Sequence, residues 1–379
     1  MNANEYNLSI DINDFIETTW QKKPVIFKNA FNQFQDPISA DELAGLACEE
    51  DISSRVVITK GSNWEVQQGP FEDYQAFGET HWQLLVQAVN HWYGESQPLV
   101  EAFRFLPDWR FDDLMVSFAT KHGGVGPHID NYDVFIIQGS GERRWLVGDE
   151  GIHNPRNGDQ TSPLVDDFEP IIDQVLQPGD VLYIPPGFPH CGDTLSDTAL
   201  SYSIGFRAPS QQELLTQLAD SLIDDNKGHK RFESTNASQH AGVVDDAAQQ
   251  GMMSLLIELA QDKQQYQTIL GKLLSQSRFE LDIVPQEPMS LDSLTELLEE
   301  GAQLQRIGGL KIIALENDDQ QRVFINGEQY QLQGIASSDI EDFVNHVSFS
   351  PLQAKELITN PALAAVIIDL LDQGLFYLA

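Results

Sequence analysis

The sequence predicts an α+β protein made of three consecutive parts, and three observations predict it. Short β-type runs rich in Val, Ile, Tyr and Phe, separated by Gly, Pro and Asp turns, fill the chain up to about Pro209. Leucines at helical spacing follow from Ser210. From about Phe279 the pattern becomes helix, hairpin and helix again.

The first part, residues 1–209, mixes short helices with RVVITK, DVFIIQG, RRWLVG, DVLYIPP and ALSYSIGF, each read as a strand. The second, 210–278, opens with Ser210 as a helix N-cap and Glu213 as its capping-box partner, ahead of Leu214, Leu215, Leu218 and Leu222. A polar stretch from Asp224 to His240 reads as a loop, and MMSLLIELAQ and YQTILGKLLSQ read as further helices. Their apolar stripes fit a dimer interface or packing within the chain. The third part, 279–379, carries the helix LDSLTELLEE, a hairpin joining KIIALE, QRVFING and EQYQLQ, and two C-terminal helices. Asn326-Gly327 is a two-residue turn signal, and the whole order resembles a winged helix.

At 379 residues and 41% hydrophobic, the chain can bury a sizeable core in two or three domains. It starts without a basic segment leading into an apolar one, and no apolar run is long enough to span a bilayer, so a cytoplasmic protein without membrane contact is expected. Cys48 and Cys191 are too few for a disulfide framework and are read as reduced and inert. The 58 acidic and 22 basic side chains give a formal net charge of −36. Such a surface repels nucleic-acid phosphates and attracts basic partners, though excess acid serves solubility or salt adaptation equally well.

Chemistry concentrates in residues 121–148, KHGGVGPHIDNYDVFIIQGSGERRWLVG. His128 and Asp130 are two apart, so on an extended strand both side chains leave the same face. A further ligand is expected from LQPGDVLYIPPGFPHCGD, in which a Pro178-Gly179-Asp180 turn, a strand and a Pro-Pro-Gly bend lead to His190. An His-x-Asp pair alone is common and says little. With the distal histidine and its turn-strand context it becomes a two-histidine, one-carboxylate set that leaves three positions open, as iron(II) requires for a bidentate keto acid and dioxygen. His122 and His153 have no partner at ligand spacing and are read as surface or supporting residues. Gly123, Gly124 and Gly126 lack the lysine, serine and helix of a phosphate loop, and are read as allowing close approach of backbone to a substrate.

HID, VFIIQGSGERRW and GDVLYIPPGFPH resemble the JmjC-type oxygenases, and FIETTWQKKPVIFKNAF resembles their lead-in. The closer resemblance is to the bacterial ribosomal oxygenases, through residues 103–118, 123–139 and Arg207-Ala208-Pro209. It implies a JmjC/cupin-like double-stranded β-helix, a helical dimerisation section and a winged-helix-like C-terminal domain. It also implies an iron(II)- and 2-oxoglutarate-dependent hydroxylase that uses O2. Its substrate would be an arginine, at C3, of the sixteenth protein of the large ribosomal subunit. A basic ribosomal substrate agrees with the charge of this chain.

A guanidinium suits the far carboxylate of 2-oxoglutarate because it grips with two parallel hydrogen bonds. Arg143 and Arg144 lie on opposite faces of one strand, so only one points inward. By resemblance the anchor lies fifteen residues after the first ligand histidine, which is Arg143; a surface arginine paired with Glu142 or Asp149 is the plainer alternative. Ser117 either adds a hydroxyl to that carboxylate or faces water. Tyr132, Asp133, Asp112 and Asp113 are candidates to line a substrate guanidinium by nearness to the motif, and equally candidates for structural or solvated roles. Competing functions are histidine hydroxylation of a ribosomal protein, a storage or isomerase cupin, and a cupin/winged-helix regulator without turnover. The few basic residues near the C-terminus, Lys355 alone in its last helical stretch, speak against DNA recognition.

Overall fold

The β-type runs of the first part become eleven strands in the computed structural model, which describes residues 6–159, 162–234, 240–284, 286–332 and 334–379. They are β1 (Val25–Phe27), β2 (Ser54–Lys60), β3 (Asn63–Gln68), β4 (Trp82–Val86), β5 (Phe111–Thr120) and β6 (Asp133–Gln138). β7 (Arg143–Gly148), β8 (Pro170–Leu176), β9 (Val181–Ile184), β10 (His190–Thr194) and β11 (Thr198–Phe206) complete the set. Two antiparallel sheets result, one of eight strands in the order β1-β9-β6-β11-β5-β4-β2-β3 and one of three in the order β10-β7-β8.

Alternation along β6 shows how they pack. Val134 and Ile136 meet Trp145, Val147 and Leu176 of the small sheet, whereas Phe135 and Ile137 face the N-terminal helices. Both faces of this strand are covered, which is why it reads as a continuous apolar run. On the outer face, the Phe15 ring lies 5.5 Å from Phe135 and 5.0 Å from Tyr183. Fully buried rings of this kind each contribute about 1.5–3 kcal/mol relative to exposure.

The first helix after the barrel, Gln211–Asp224, begins with the Ser210/Glu213 capping box that the sequence predicts. It is followed by Asp246–Gln261 and Lys263–Ser275. The expected loop is seen at residues 225–234, and residues 235–239 lie outside the described residues. The first two helices bury no side chain, with Leu215 66%, Ile223 75% and Leu256 64% exposed. Helix 263–275 instead sits on the C-terminal hairpin. A Cβ on Gly271 would lie 2.3 Å from the Phe324 ring, so only glycine allows the close approach.

In the C-terminal part the helix Leu291–Glu300 ends at Gly301, at φ 105°. The hairpin is a three-stranded meander of Ile312–Ala314, Arg322–Ile325 and Glu328–Gln331, turned at Asn326 and Gly327 with φ of 47° and 83°. Helices Ser337–Asn345, Pro351–Ile358 and Pro361–Asp372 pack on it around Leu294, Leu298, Val323 and Ile367. A helix and a small sheet here were not expected. Helix 337–345 is the former, and Leu304–Arg306 between Ser348–Phe349 and Phe376–Leu378 is the latter. Two- and three-residue strands are too short to show alternation in sequence.

Candidate metal centre and its cavity

His128, Asp130 and His190 converge, with one ligand atom from each lying within 4.8 Å of the others. Asp130 Oδ2 is 4.0 Å from His128 Nε2 and 3.7 Å from His190 Nε2. The continuous strand expected through His128 and Asp130 is absent. An isolated β-bridge between His128 and His190 does the positioning, and the Asp130 carbonyl accepts from the Gly187 N–H at 2.9 Å. His128 Nδ1 is 2.8 Å from the Gly126 carbonyl and His190 Nδ1 is 3.1 Å from that of Phe188. Carbonyls only accept, so each Nδ1 carries the proton and each Nε2 lone pair is free for a cation. Burial, reinforced by His128 alongside, pushes His190 down to about 4, so it is neutral at pH 7. Two imidazoles and one carboxylate in this arrangement fit a divalent transition metal such as iron(II).

The glycines before this site act differently from expectation. A Cβ on Gly123 would lie 2.2 Å from the Trp82 carbonyl oxygen, and one on Gly124 would lie 2.3 Å from that of Gly192. They let the loop approach the protein's own strands, not a substrate.

The three residues open into a cavity of about 290 Å³ between the sheets. Arg143, on β7, projects into it and is 2% exposed, while Arg144 points outward and pairs with Asp173 at 2.5 Å. The surface alternative for Arg143 therefore falls away. Its contacts are neutral: Gln83 Oε1 at 3.1 Å, the Gly192 carbonyl at 3.4 Å, Ser201 Oγ at 3.5 Å and the Trp145 ring. Burial lowers Arg143 to about 10, which leaves it charged at neutral pH. Ser117 is buried and lines the same cavity, its hydroxyl 3.5 Å from the Ser201 carbonyl, so it does not face water.

Of the four acidic or aromatic candidates, Asp113 and Tyr132 reach the cavity. Asp113 Oδ2 accepts from the Ala88 N–H at 2.9 Å. Gln87, with its amide turned, adds a second donor to Oδ2 at 3.1 Å and accepts from Arg55 at 3.3 Å. Burial, with Asp112 next to it, raises the Asp113 carboxyl to about 7. Tyr132 is raised above its ordinary value by burial and by Asp130. Asp112 and Asp133 do not line this cavity. Asp112 is tied to Arg278 at 2.6 Å, and Asp133 accepts from Tyr183 at 2.6 Å and Gln21 at 3.0 Å, so both are structural. His122, half exposed beside Asp193, and His153, on the Asp149 carbonyl, stand apart from the centre.

Sequence reading missed Gln83, Ser201, Trp145 and Arg55, all lining the cavity. The available signal for Gln83 was one amide inside the otherwise apolar strand WQLLV.

Comparison with known proteins places this geometry. A JmjC domain family matches residues 98–214 and a ROXA-like winged helix matches residues 258–377. The chain is 41% identical over 98% of its length, and 99% of the relative's, to the ribosomal protein uL16 3-hydroxylase of Escherichia coli. It is 33% identical over 86% of its length, and 83% of the relative's, to a probable ribosomal oxygenase of Haemophilus influenzae. The crystal structure of the E. coli ribosomal oxygenase YcfD superposes with a TM-score of 0.90 at 40% identity, covering 99% of this chain and 100% of that one. A structure of YcfD in complex with cobalt and 2-oxoglutarate superposes at 0.89, covering 99% of both chains. The expected double-stranded β-helix with a winged-helix C-terminus is therefore the fold, and the chain belongs to the JmjC-type ribosomal oxygenases.

Proposed function

We propose that the protein is an iron(II)- and 2-oxoglutarate-dependent hydroxylase acting on an arginine, at C3, of the large-subunit ribosomal protein uL16. The observation that carries the reading is one cavity holding both the His128, Asp130 and His190 set and Arg143, a buried cation whose contacts among the described residues include no carboxylate. A buried charge without a counter-ion is costly, and a ligand carboxylate removes that cost. His128, Asp130 and His190 hold the iron, Arg143 holds the distal carboxylate of 2-oxoglutarate, and Ser117 lies beside it. Iron(II) with 2-oxoglutarate supplies oxygen activation coupled to decarboxylation to succinate. The chain supplies binding, orientation and exclusion of water from a pocket walled by Val134, Ile136 and Leu164.

On the substrate side, Asp113 accepts from the Ala88 N–H and the Gln87 amide on Oδ2, which leaves Oδ1, near Gly205, for a guanidinium. Tyr132 offers its ring to the aliphatic stem. A buried carboxylate of this kind favours arginine over histidine as the target, because a guanidinium brings paired donors and a permanent charge. The net charge of −36 favours approach of a basic ribosomal protein and disfavours direct nucleic-acid binding. No helix among the described residues is long and apolar enough to cross a membrane. Action on a ribosomal protein implies a cytoplasmic site of work. The apolar side chains left uncovered on helices 211–224 and 246–261 support a homodimer built through the section 210–278. The oxygenase part is 1–209, and the winged-helix-like part is 279–379 with helix 263–275 docked on it.

Succinate formation tests the reading. With iron(II), 2-oxoglutarate and uL16, succinate appears well above the rate without uL16; equal rates with and without any basic ribosomal protein would remove the substrate assignment.

A further inference from the structure

We propose that Gln83 is a binding and positioning residue for the distal carboxylate of the keto acid, aiming Arg143 with its amide oxygen and donating to the carboxylate with its amide nitrogen. The inference rests on the cosubstrate reading of Arg143 given above.

Gln83 is the second residue of β4, whose five side chains are all buried. A polar side chain in such a strand gives up water and must find its partners inside the protein. Only half of this amide has done so. Oε1 accepts from Arg143 Nη2 at 3.1 Å, and because a guanidinium only donates, the oxygen is committed to that side. The two ends of a planar amide point apart. Nε2 is therefore turned from the arginine, in a side chain that lines the cavity, and among the described residues it has no protein acceptor.

The neighbours form the rest of a carboxylate cradle. Ser117 on β5 and Ser201 on β11 stand opposite each other in register and line the same cavity. Ser201 Oγ also lies 3.5 Å from Arg143 Nη1. Polar side chains from β4, β5, β7 and β11 thus meet at one end of the pocket: the Arg143 guanidinium, the free Gln83 Nε2, and two hydroxyls held only by long contacts, Ser201 to Gln138 Oε1 at 3.4 Å and Ser117 to the Ser201 carbonyl at 3.5 Å. Among the described residues Arg143 has no carboxylate contact there. An end group that only accepts, and carries negative charge, matches this set. A methyl end would leave the donors unpaired, and an amide end would set N–H against N–H.

The test is calorimetric titration of the full chain loaded with manganese(II), using 2-oxoglutarate and 2-oxopentanoate, which has a methyl in place of the distal carboxylate. Gln83→Met, close in shape, is expected to weaken 2-oxoglutarate about ten- to a hundredfold, as for loss of a hydrogen bond to a charged group. Binding of 2-oxopentanoate stays as in the parent chain. Gln83→Glu, whose carboxylate closes on Arg143, weakens 2-oxoglutarate further and again spares 2-oxopentanoate. Equal losses for both ligands, or no loss for either, would overturn the role of Gln83. Arg143→Leu separates the two claims. If it keeps the full preference for 2-oxoglutarate, the cosubstrate reading fails; if it loses the preference while Gln83→Met keeps it, only the role of Gln83 fails.

Discussion

His128 and His190 exchange both backbone hydrogen bonds, the N–H of His128 to the carbonyl of His190 at 3.0 Å and the reverse at 2.9 Å. Two ligands sixty-two residues apart in sequence are thereby locked side by side by main chain alone. Their rings, at 4.2 Å between centroids, inherit that register. Whatever displaces β10 displaces a ligand.

Gly124→Ala tests that dependence. The new methyl would meet the Gly192 carbonyl oxygen, two residues from His190 on β10, at 2.3 Å. Overpacking of this kind costs about 1–3 kcal/mol of stability. Metal affinity should fall by roughly ten- to a hundredfold, the range for losing an outer support of a ligand. Metal titration monitored by calorimetry checks this; unchanged affinity would show that the bridge tolerates movement of β10.

Asp113 should give the protein a pH dependence near neutrality. Its carboxyl is raised to about 7 in the folded chain, from an ordinary value of about 4. A raised acid binds its proton more tightly when folded, so ionisation costs the folded state. Stability therefore declines as pH rises from about 4 to about 7 and is level above that. Asp113→Asn removes that decline, which denaturant midpoints at pH 5 and pH 8 would reveal. Binding of a cationic substrate has the opposite trend, strengthening as pH rises through 7 in the parent chain and losing that slope in the variant.

In the winged-helix part, Arg322 and Asp318 form a buried ion pair with contacts at 2.8 and 3.0 Å, both side chains 3% exposed or less. Removing one partner leaves a buried charge alone. Asp318→Ala should cost about 3–5 kcal/mol in chemical denaturation. A cost below about 1 kcal/mol would mean that water reaches Arg322 readily.

The uncovered helices predict a dimer that can be broken without touching the cavity. Leu256 and Ile257, 64% and 46% exposed, lie on helix 246–261. The double change Leu256→Asp and Ile257→Asp should halve the mass seen by light scattering and leave 2-oxoglutarate binding intact. An unchanged mass would assign the interface to another surface.

His128, Asp130 and the hairpin turn were legible in the sequence as local motifs, an His-x-Asp pair and an Asn-Gly pair, although an isolated bridge replaces the strand expected through the first two. His190 was legible only through its turn, strand and Pro-Pro-Gly context. The inward position of Arg143 was legible through strand alternation and family resemblance together. Gln83, Ser201 and Asp113 were harder, since what selects them is the cross-strand register. Ser201 meets Gln138 and Ser117 only after three distant segments pair. The misplacement of Asp112 and Asp133 has the same origin. Nearness to the motif in sequence says nothing about which face of β5 or β6 a carboxylate leaves, and these two leave the face away from the cavity, toward Arg278 and Tyr183.

Mass spectrometry of uL16 after incubation with the protein, iron(II), 2-oxoglutarate and O2 decides whether this chain hydroxylates arginine. One added oxygen on a single arginine is expected, in step with succinate, and is lost in Arg143→Ala and His190→Ala. An unmodified uL16 with no succinate formed, from protein shown to hold the metal, would contradict it.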